Sequence, residues 1–474
     1  MEKRGYGKDI VMQGIARISG GLLSFLAVFL LTYLFDEETL GKYNLVLTTI
    51  NVITSICTLW LSQSILRYYR DKKQIGSLLI MTLMCSFIAV AFYEVYVLLT
   101  RTEPNIWAYV YVIVLVFYNI LDAIFRKGRR LIYYVGLELL LSIGRLFPMI
   151  IIAKATKDFN SIFLSQVITV SIFLLVVIIR EKNTFITTSY HVEKADFVRF
   201  LKFGLPLVGL SISNWFLTSS DRYVIKILGN DAQVGIYSTN YSLGNSIYMM
   251  FALILVNAMH PIIINLWEED TSEAIQTVSK TLDLYFLLMI PLVFYGCLKS
   301  NILLGLFKGD VYSLHSSIFI WTVLGIFIYG IALLLHKYYE CIQSTKNILI
   351  INIIAALFNI IANFVLIPIL GFDVAAFTTF LSYLLYAVIV WVRTHRKFPV
   401  KVKWGNLIKI FVSIILFGLI DFLFVKKSSV LSFFIEGFLY VVYTMIIYQL
   451  LRVYSFKSIV DKIVNRRPAM KNQV

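Results

Sequence analysis

Charge is sparse in this sequence. Asp, Glu, Lys and Arg make up 15% of its 474 residues, against about 25% in soluble globular domains. Cysteine is scarcer still. Cys57, Cys85, Cys297 and Cys341 are the four present, and none stands in a CxxC spacing. That excludes a disulfide framework or a thiolate metal site, and the four are expected to be small buried hydrophobes. There is no phosphate-binding glycine loop, which argues against a nucleotide-driven machine. Long connections are missing too. The longest joins two apolar runs over residues 180–202, and no predicted external loop exceeds about 15 residues, so an extramembrane catalytic domain has no room.

What is present is apolar. Hydrophobic residues are 59% of the chain and the mean hydropathy is +0.81. They come in runs such as "GGLLSFLAVFLLTYLF" (20–35), "SIFLLVVII" (171–179) and "YVVYTMIIYQLL" (440–451), and a helix needs roughly 20 such residues to cross a bilayer. The runs do not alternate apolar with polar, as strands of a membrane barrel would. The fold class is therefore an all-α polytopic membrane protein. About fourteen spans are predicted, near 10–34, 43–66, 75–99, 107–125, 131–153, 161–179, 203–228, 235–260, 281–299, 315–338, 347–368, 372–392, 406–424 and 430–451. The start, "MEKRGYGKDIVMQGIARISGG", reads as a retained first span, since it lacks the short apolar core and small-residue cleavage site of a leader.

Lys and Arg orient these spans. With the N-terminus in the cytoplasm, 31 of the 43 fall on inner segments, 10 on outer segments and two, Arg17 and Arg145, inside spans. That bias predicts both termini cytoplasmic. It also accounts for the net charge of +16 as topology and contact with anionic lipid, with no nucleic-acid partner expected. The acidic stretch "WEEDTSEA" (267–274) on the predicted inside runs against it, but acidic residues count little in the rule.

Two short stretches echo one another. "EETLGKY" (37–43) and "DAQVGIY" (231–237) share acidic–x–x–aliphatic–Gly–x–Tyr, with Gly41 and Gly235 separated by 194 residues. Each lies between the first and second span of its group if the chain divides as six, six and two. The expected organisation is a six-helix lobe over 1–180, a cytoplasmic linker at 181–202, a second six-helix lobe over 203–397, two additional helices over 398–454 and a basic tail at 455–474. Paired halves of this kind build a central site between repeats. Gly235 is expected to turn the chain into the eighth span.

Polar residues inside spans carry the functional reading, because charge within a bilayer costs roughly 2.5 kcal/mol or more per residue. They recur at helical spacing: Gln13, Arg17 and Ser24; Thr48, Asn51, Ser55 and Ser62; Glu138, Ser142 and Arg145; Ser211, Asn214, Thr218 and Arg222; Ser238, Ser242 and Asn245; Asn352, Asn359 and Asn363. The faces of spans 1, 2, 7 and 8 are expected to enclose a hydrated cavity. Arg17, Arg145 and Arg222 are its candidate cations, with Asn51, Asn214, Asn245 and Asn359 as neutral donors. Arg222 is expected to face the cavity and Asp221 a neighbouring helix. The competing reading is structural: Ser and Asn often bond a neighbouring helix, Glu138 pairs with Arg145, Asp122 and Arg126 pin the end of span 4, and Arg67, His336 and Lys337 snorkel. Pro206 is a kink candidate, and Pro261, Pro291 and Pro368 are expected to interrupt or end spans.

The stretch "FLKFGLPLVGLSISNWFLTSSDRYVIKILGNDAQVGIYSTNYSLGNSI" (200–247) resembles the start of the second half of Wzx-type polysaccharide flippases. These form the polysaccharide-transport branch of the multidrug/oligosaccharidyl-lipid/polysaccharide exporter superfamily. The shared elements are Phe-Gly-Leu-Pro with Pro206, Asp221-Arg222, Leu-Gly, and Val-Gly-Ile-Tyr-Ser with Gly235 and Tyr237. The N-terminal part from Ile15-Ala-Arg17 to Leu40-Gly41-Lys42-Tyr43 is similar. The resemblance implies two lobes in a V with two extra helices, in a bacterial cytoplasmic membrane. It implies a polyprenyl pyrophosphate-linked oligosaccharide as cargo, for O-antigen, capsule or another surface polymer, moved by alternating access. A groove for the lipid tail along spans 13 and 14 is implied in the same way. It further implies no cofactor, H⁺ or Na⁺ coupling, a monomer, and polysaccharide polymerase and chain-length machinery as partners. Asp122, Glu138, Asp221 and Glu94 are candidate ion carriers. The chemistry agrees, since arginine forks suit pyrophosphate and amides and hydroxyls suit sugars.

Two alternatives stand beside this reading. One is a multidrug-type cation-coupled antiporter of the same superfamily, which favours acidic and aromatic cavity residues over arginines. The other is a membrane polysaccharide polymerase or glycosyltransferase, which needs the large loop the sequence lacks. The protein is expected not to be an enzyme.

Overall fold

The computed structural model describes residues 3–69, 74–127, 146–156, 158–180, 192–424 and 430–453, with the single positions 136, 139, 143 and 182; for residues 3–18, 424, 430 and 431 it describes the backbone alone. The described residues form helices and no strands. In chain order they are α1 (Lys3–Leu34), α2 (Glu37–Tyr68), α3 (Ile75–Thr100), α4 (Ile106–Lys127), α5 (Phe147–Thr156), α6 (Asn160–Arg180), α7 (Lys194–Leu228), α8 (Asp231–Glu269), α9 (Thr271–Leu298), α10 (Ser316–Cys341), α11 (Thr345–Leu370), α12 (Val374–Thr394), α13 (Trp404–Phe424) and α14 (Val430–Leu450). Among the described residues twelve helices are long and apolar enough to cross a membrane, and shorter apolar stretches stand at Ser19–Leu34 and Phe147–Thr156. Their outward faces are apolar: Phe87, Leu99 and Phe422 are 78%, 80% and 84% exposed, which suits lipid and not water.

Side chains fix where helices start. Asp36 caps α2 by accepting from the Thr39 backbone N–H at 3.0 Å, and this contact together with the Thr39 hydroxyl holds its carboxyl below the usual range. Asn230 caps α8 by accepting from Gln233 N–H, also at 3.0 Å. Asp36 and Asn230 are 194 residues apart, the same offset as Gly41 and Gly235, so the internal echo extends to the cap. The acidic stretch at 267–274 finds its role here: Asp270 caps α9, accepting from Ser272 and Glu273 N–H.

One core is built by α2, α3, α4 and α6 around Ile50, Leu61, Tyr111 and Phe163. A second joins α8, α9 and α10, and a third joins α7, α10, α11 and α12. Helices α13 and α14 dock on α9 through Leu287, Ile290, Ile410 and Tyr448. Lys299, at the end of α9, is 3% exposed and holds Asp421 of α13 at 2.6 Å and Glu436 of α14 at 2.8 Å.

Pro261 and Pro291 do not interrupt their helices as expected but lie inside helices that run on, as does Pro206 in α7, and Pro368 sits near an end, two residues before the close of α11. Helix α8 is irregular in a different place: residues Asn245–Met249 form one π turn, a feature frequently found at functional sites.

Candidate functional site

Helix α2 packs on both α7 and α8. Near its start it crosses α8 at a pair of glycines. A Cβ on Gly41 would stand 1.8 Å from the Asp231 carbonyl oxygen, and one on Gly235 would stand 1.9 Å from that of Glu37. Both glycines are helical, so Gly235 is required for this close approach and not, as expected from sequence, to turn the chain. At its other end α2 lies along α7. Gly204 abuts the Trp60 backbone, where a Cβ would meet the carbonyl oxygen at 2.1 Å, and Ser64 donates to the Phe200 carbonyl at 2.8 Å. Thr49 and Tyr223 join their hydroxyls between these ends.

Between the two closures lie two adjoining cavities. The larger, about 330 Å³, is set among α1, α2 and α8 and backed by α5 and α6. Its polar walls include Ser24, Asn44, Asn51, Gln166, Ser242 and Asn245. The smaller, about 200 Å³, lies between α2 and α7 and is walled by Asn51, Ser55, Ser211, Asn214, Trp215 and Thr218. Asn51 belongs to both. The polar faces of α1, α2, α7 and α8 thus border two partly open cavities. The first is at the small end of ligand pockets, roughly 300–1,000 Å³.

Among the described residues no Asp, Glu, Lys or Arg lines either chamber. This corrects the expected position of Arg222. The residue is 7% exposed, its guanidinium lies 4.9 Å from the Tyr241 ring centre, and its Nη1 is 3.4 Å from the Thr218 carbonyl oxygen and 3.8 Å from Asp221 Oδ1. Asp221, 1% exposed, accepts from the Tyr237 hydroxyl and from Arg222 N–H. The adjacent pair forms one sealed knot binding α7 to α8. The physical reason is packing: the Tyr237–Tyr241 face of α8, with rings 5.9 Å apart, covers Arg222 and provides a cation–π surface.

Asn359 is also corrected. It accepts from Ser220 at 3.3 Å and from Asn363 at 3.2 Å and donates to Thr379 at 3.1 Å. It is 1% exposed, and its network ties α7 to α11 and α12. Asn214 borders the smaller chamber and accepts from the Tyr329 hydroxyl at 3.2 Å. Asn245 borders the larger at the π turn. Glu94 is exposed and accepts from Tyr109; Asp122 forms an ion pair with Arg126. Arg67 stacks on Phe203 at 4.7 Å, but His336 and Lys337 are buried and do not snorkel. Glu138 and Arg145, and the side chain of Arg17, lie outside the described residues; Arg17 stands on α1 seven residues before Ser24. Pro206 lies on α7 two residues from the Gly204 contact.

Sequence reasoning missed Gln166. It is fully buried, its Nε2 lies 3.3 Å from the Tyr43 hydroxyl, and its Oε1 is without a partner at the wall of the larger chamber, as is Ser238 Oγ. The signal was available, since Gln166 is the one amide within the apolar run 161–179.

Membrane-length helices around partly open polar cavities suit a polytopic membrane transporter. The family model described as "Polysaccharide biosynthesis protein" matches residues 6–267, more than half of the chain, and the chain belongs to that family. The MatE family model matches residues 206–365, and the two matches together place the chain in the multidrug/oligosaccharidyl-lipid/polysaccharide superfamily. Its fold is similar to that of a structure described as lipid II flippase MurJ in an inward closed conformation. The TM-score is 0.73 at 14% identity, covering 96% of this chain and 100% of that one. It is also similar to an inward-facing multidrug resistance MATE family transporter (TM-score 0.62, 14% identity, covering 81% and 98%). A third likeness is to a superfamily transporter from Pyrococcus furiosus described as having reversed binding-pocket polarity (TM-score 0.57, 14% identity, covering 83% and 96%). A comparison with curated proteins returns no match.

Proposed function

We propose that this protein is a flippase that carries polyprenyl pyrophosphate-linked oligosaccharide repeat units from the inner to the outer leaflet of a bacterial cytoplasmic membrane, for surface polysaccharide synthesis. The observation that carries this reading is the neutral wall of the larger chamber. Amides and hydroxyls from α1, α2, α6 and α8, two of them buried with an unpartnered oxygen, match sugar hydroxyls, which both donate and accept. An organic cation would find no carboxylate among the described lining residues. Arg17 and Arg145 remain the candidates for the pyrophosphate. Coupling to H⁺ or Na⁺ supplies the energy, both termini face the cytoplasm, and a polymerase consumes the product outside. A multidrug antiporter is the second reading, supported by the MatE match over 206–365.

The test is depletion of the protein in its host. Lipid-linked repeat units should accumulate in a form that an added glycosidase cannot reach in intact spheroplasts, and re-expression should restore both access and surface polymer. Unchanged polymer and unchanged access would reject the reading.

A further inference from the structure

Where α2 ends and α7 begins, two arginines lie on one aromatic frame. The Arg67 guanidinium, on α2, stands 4.7 Å from the Phe203 ring centre and 5.7 Å from that of Tyr68. The Arg199 guanidinium, on α7, stands 5.0 Å from the Tyr68 centre. The rings are fixed from behind. Tyr68 stacks on Phe200 at 5.9 Å and meets Phe203 edge to face at 5.4 Å. Phe200 is 3% exposed, and its carbonyl accepts from Ser64. Arg67, Arg199 and Lys202, the last one turn on along α7, are exposed.

This frame belongs to the same seam as the smaller chamber. Arg67 follows Ile56 by eleven residues and Phe203 precedes Asn214 by eleven, about three helical turns in each case. Ile56 and Asn214 both wall the chamber. The arginine and its ring therefore stand on matching faces of α2 and α7, roughly 16 Å from that wall toward the end opposite the Gly41–Gly235 crossing.

An arginine that only reached for water would need no ring on another helix. Stacking covers the weakly hydrated flat face of a guanidinium and leaves its N–H edge to donate. Among the described residues Arg67 forms no ion pair. Arg199 forms one, with Asp196 at 2.5 Å, but both partners are partly or fully open to solvent on one helix, and such pairs are weak. Glu193 and Lys194, at the start of α7, offset one another. The three cations thus outnumber the one carboxylate beside them. Both guanidiniums lie against the same Tyr68 ring, close enough for one pyrophosphate to span them, whereas a phosphodiester with a single negative charge would satisfy one.

We propose that Arg67 and Arg199, with Lys202, form a receiving site at the membrane surface for the pyrophosphate of a polyprenyl-linked lipid, which holds it before its head group enters the chambers. The identity of the lipid rests on the flippase reading. The site lies on other elements than Arg17 and Arg145, and it assigns a role to an arginine whose position at a span end suggested snorkelling alone.

The experiment is equilibrium binding of radiolabelled farnesyl pyrophosphate to the full chain in phosphatidylcholine nanodiscs. Farnesyl monophosphate, inorganic pyrophosphate and short-chain phosphatidylglycerol serve as competitors. Arg67→Gln should weaken binding roughly tenfold, since hydrogen bonds to a charged group are lost, and Arg199→Gln should weaken it in the same direction. Arg67→Lys should recover only part, because an ammonium has no planar fork. Lys194→Gln removes the same charge from the same surface and should leave binding nearly unchanged. All four side chains are exposed, so the variants should fold. Unchanged binding in Arg67→Gln overturns the proposal, and so does an equal loss in Lys194→Gln, which would mean diffuse surface charge. Phosphatidylglycerol competing as well as farnesyl pyrophosphate would make this a phospholipid headgroup site, and inorganic pyrophosphate doing so would make it a site for soluble anions; either result also overturns it. If depletion of the protein traps lipid-linked units while Arg67→Gln binds normally, the flippase reading stands and this site falls. If depletion changes nothing while Arg67→Gln loses farnesyl pyrophosphate, the site stands and the flippase reading falls.

Discussion

Gly41 and Gly235 stand at equivalent places in the two echoing stretches and meet each other. The helix backbone that each one admits is the other's own first turn. Glu37, whose carbonyl faces Gly235, and Asp231, whose carbonyl faces Gly41, are themselves 194 residues apart. The contact is therefore reciprocal.

Alanine at either glycine should open this end of the molecule. An added methyl would lie under 2 Å from a backbone carbonyl, and helical backbone cannot step aside locally, so α2 and α8 must separate. Both single variants should fold. A cysteine introduced at Ser242 should become reactive to a membrane-impermeant maleimide added outside, at least several-fold faster than in the wild-type background. Equal labelling rates would show that the crossing does not close the chamber.

Asp221 and Arg222 should behave as one unit. Asp221→Asn leaves a buried guanidinium with a weakened partner, and removing one member of a buried pair costs about 3–5 kcal/mol. Arg222→Gln should cost a similar amount. Combining the two should restore part of the loss, because no charge then remains buried. Thermal unfolding in detergent measures this, and strictly additive losses in the double variant would contradict the sealed knot.

Gln166→Leu separates stability from transport. Leucine has a similar volume and removes a buried oxygen that has no partner, so the thermal midpoint should hold or rise. Transport should fall at least tenfold if that amide contacts sugar. Wild-type rates of surface polymer synthesis at equal protein levels would remove Gln166 from the site.

Lys299→Met should harm the attachment of α13 and α14 more than Asp421→Asn does. The first leaves Asp421 and Glu436 buried together without a cation; the second leaves the Lys299–Glu436 pair intact. Limited proteolysis between residues 395 and 405 reports the difference, with faster cleavage expected in Lys299→Met. Equal rates would count against an ionic anchor.

The sequence made the all-helical membrane fold legible because apolar runs of span length have few other solutions. It also made the echo of the two stretches legible, through Gly41, Tyr43, Gly235 and Tyr237, and the four polar faces, through spacing. It did not reveal that the two glycines face one another, since contacts between halves leave no local pattern. Arg222 misled for a related reason. Its spacing with Asn214 and Thr218 is real, but whether a face meets a chamber or a neighbouring helix depends on Tyr237 and Tyr241, which belong to another element. His336 and Lys337 looked like residues at a span end reaching for water, because Tyr386, which meets His336, is 50 residues away along the chain and His260, which meets Lys337, is 77 away.

The π turn at Asn245–Met249 has a geometric consequence for all of α8. In an ideal α-helix eighteen residues make five full turns, so the direction in which Ser238 points would be inherited by Val256. One added residue in the π turn passes that direction to Asn257. Val256 is 3% exposed, alongside Ala252 and Ile263, while Asn257 is exposed. Straightening Asn245–Met249 into regular α-helix at unchanged length would thus act at a distance, turning the lower half of the helix by about 100° and bringing Val256 into the direction that Asn257 now holds, whereas deleting one residue there would remove the extra residue and leave Asn257 facing as it does.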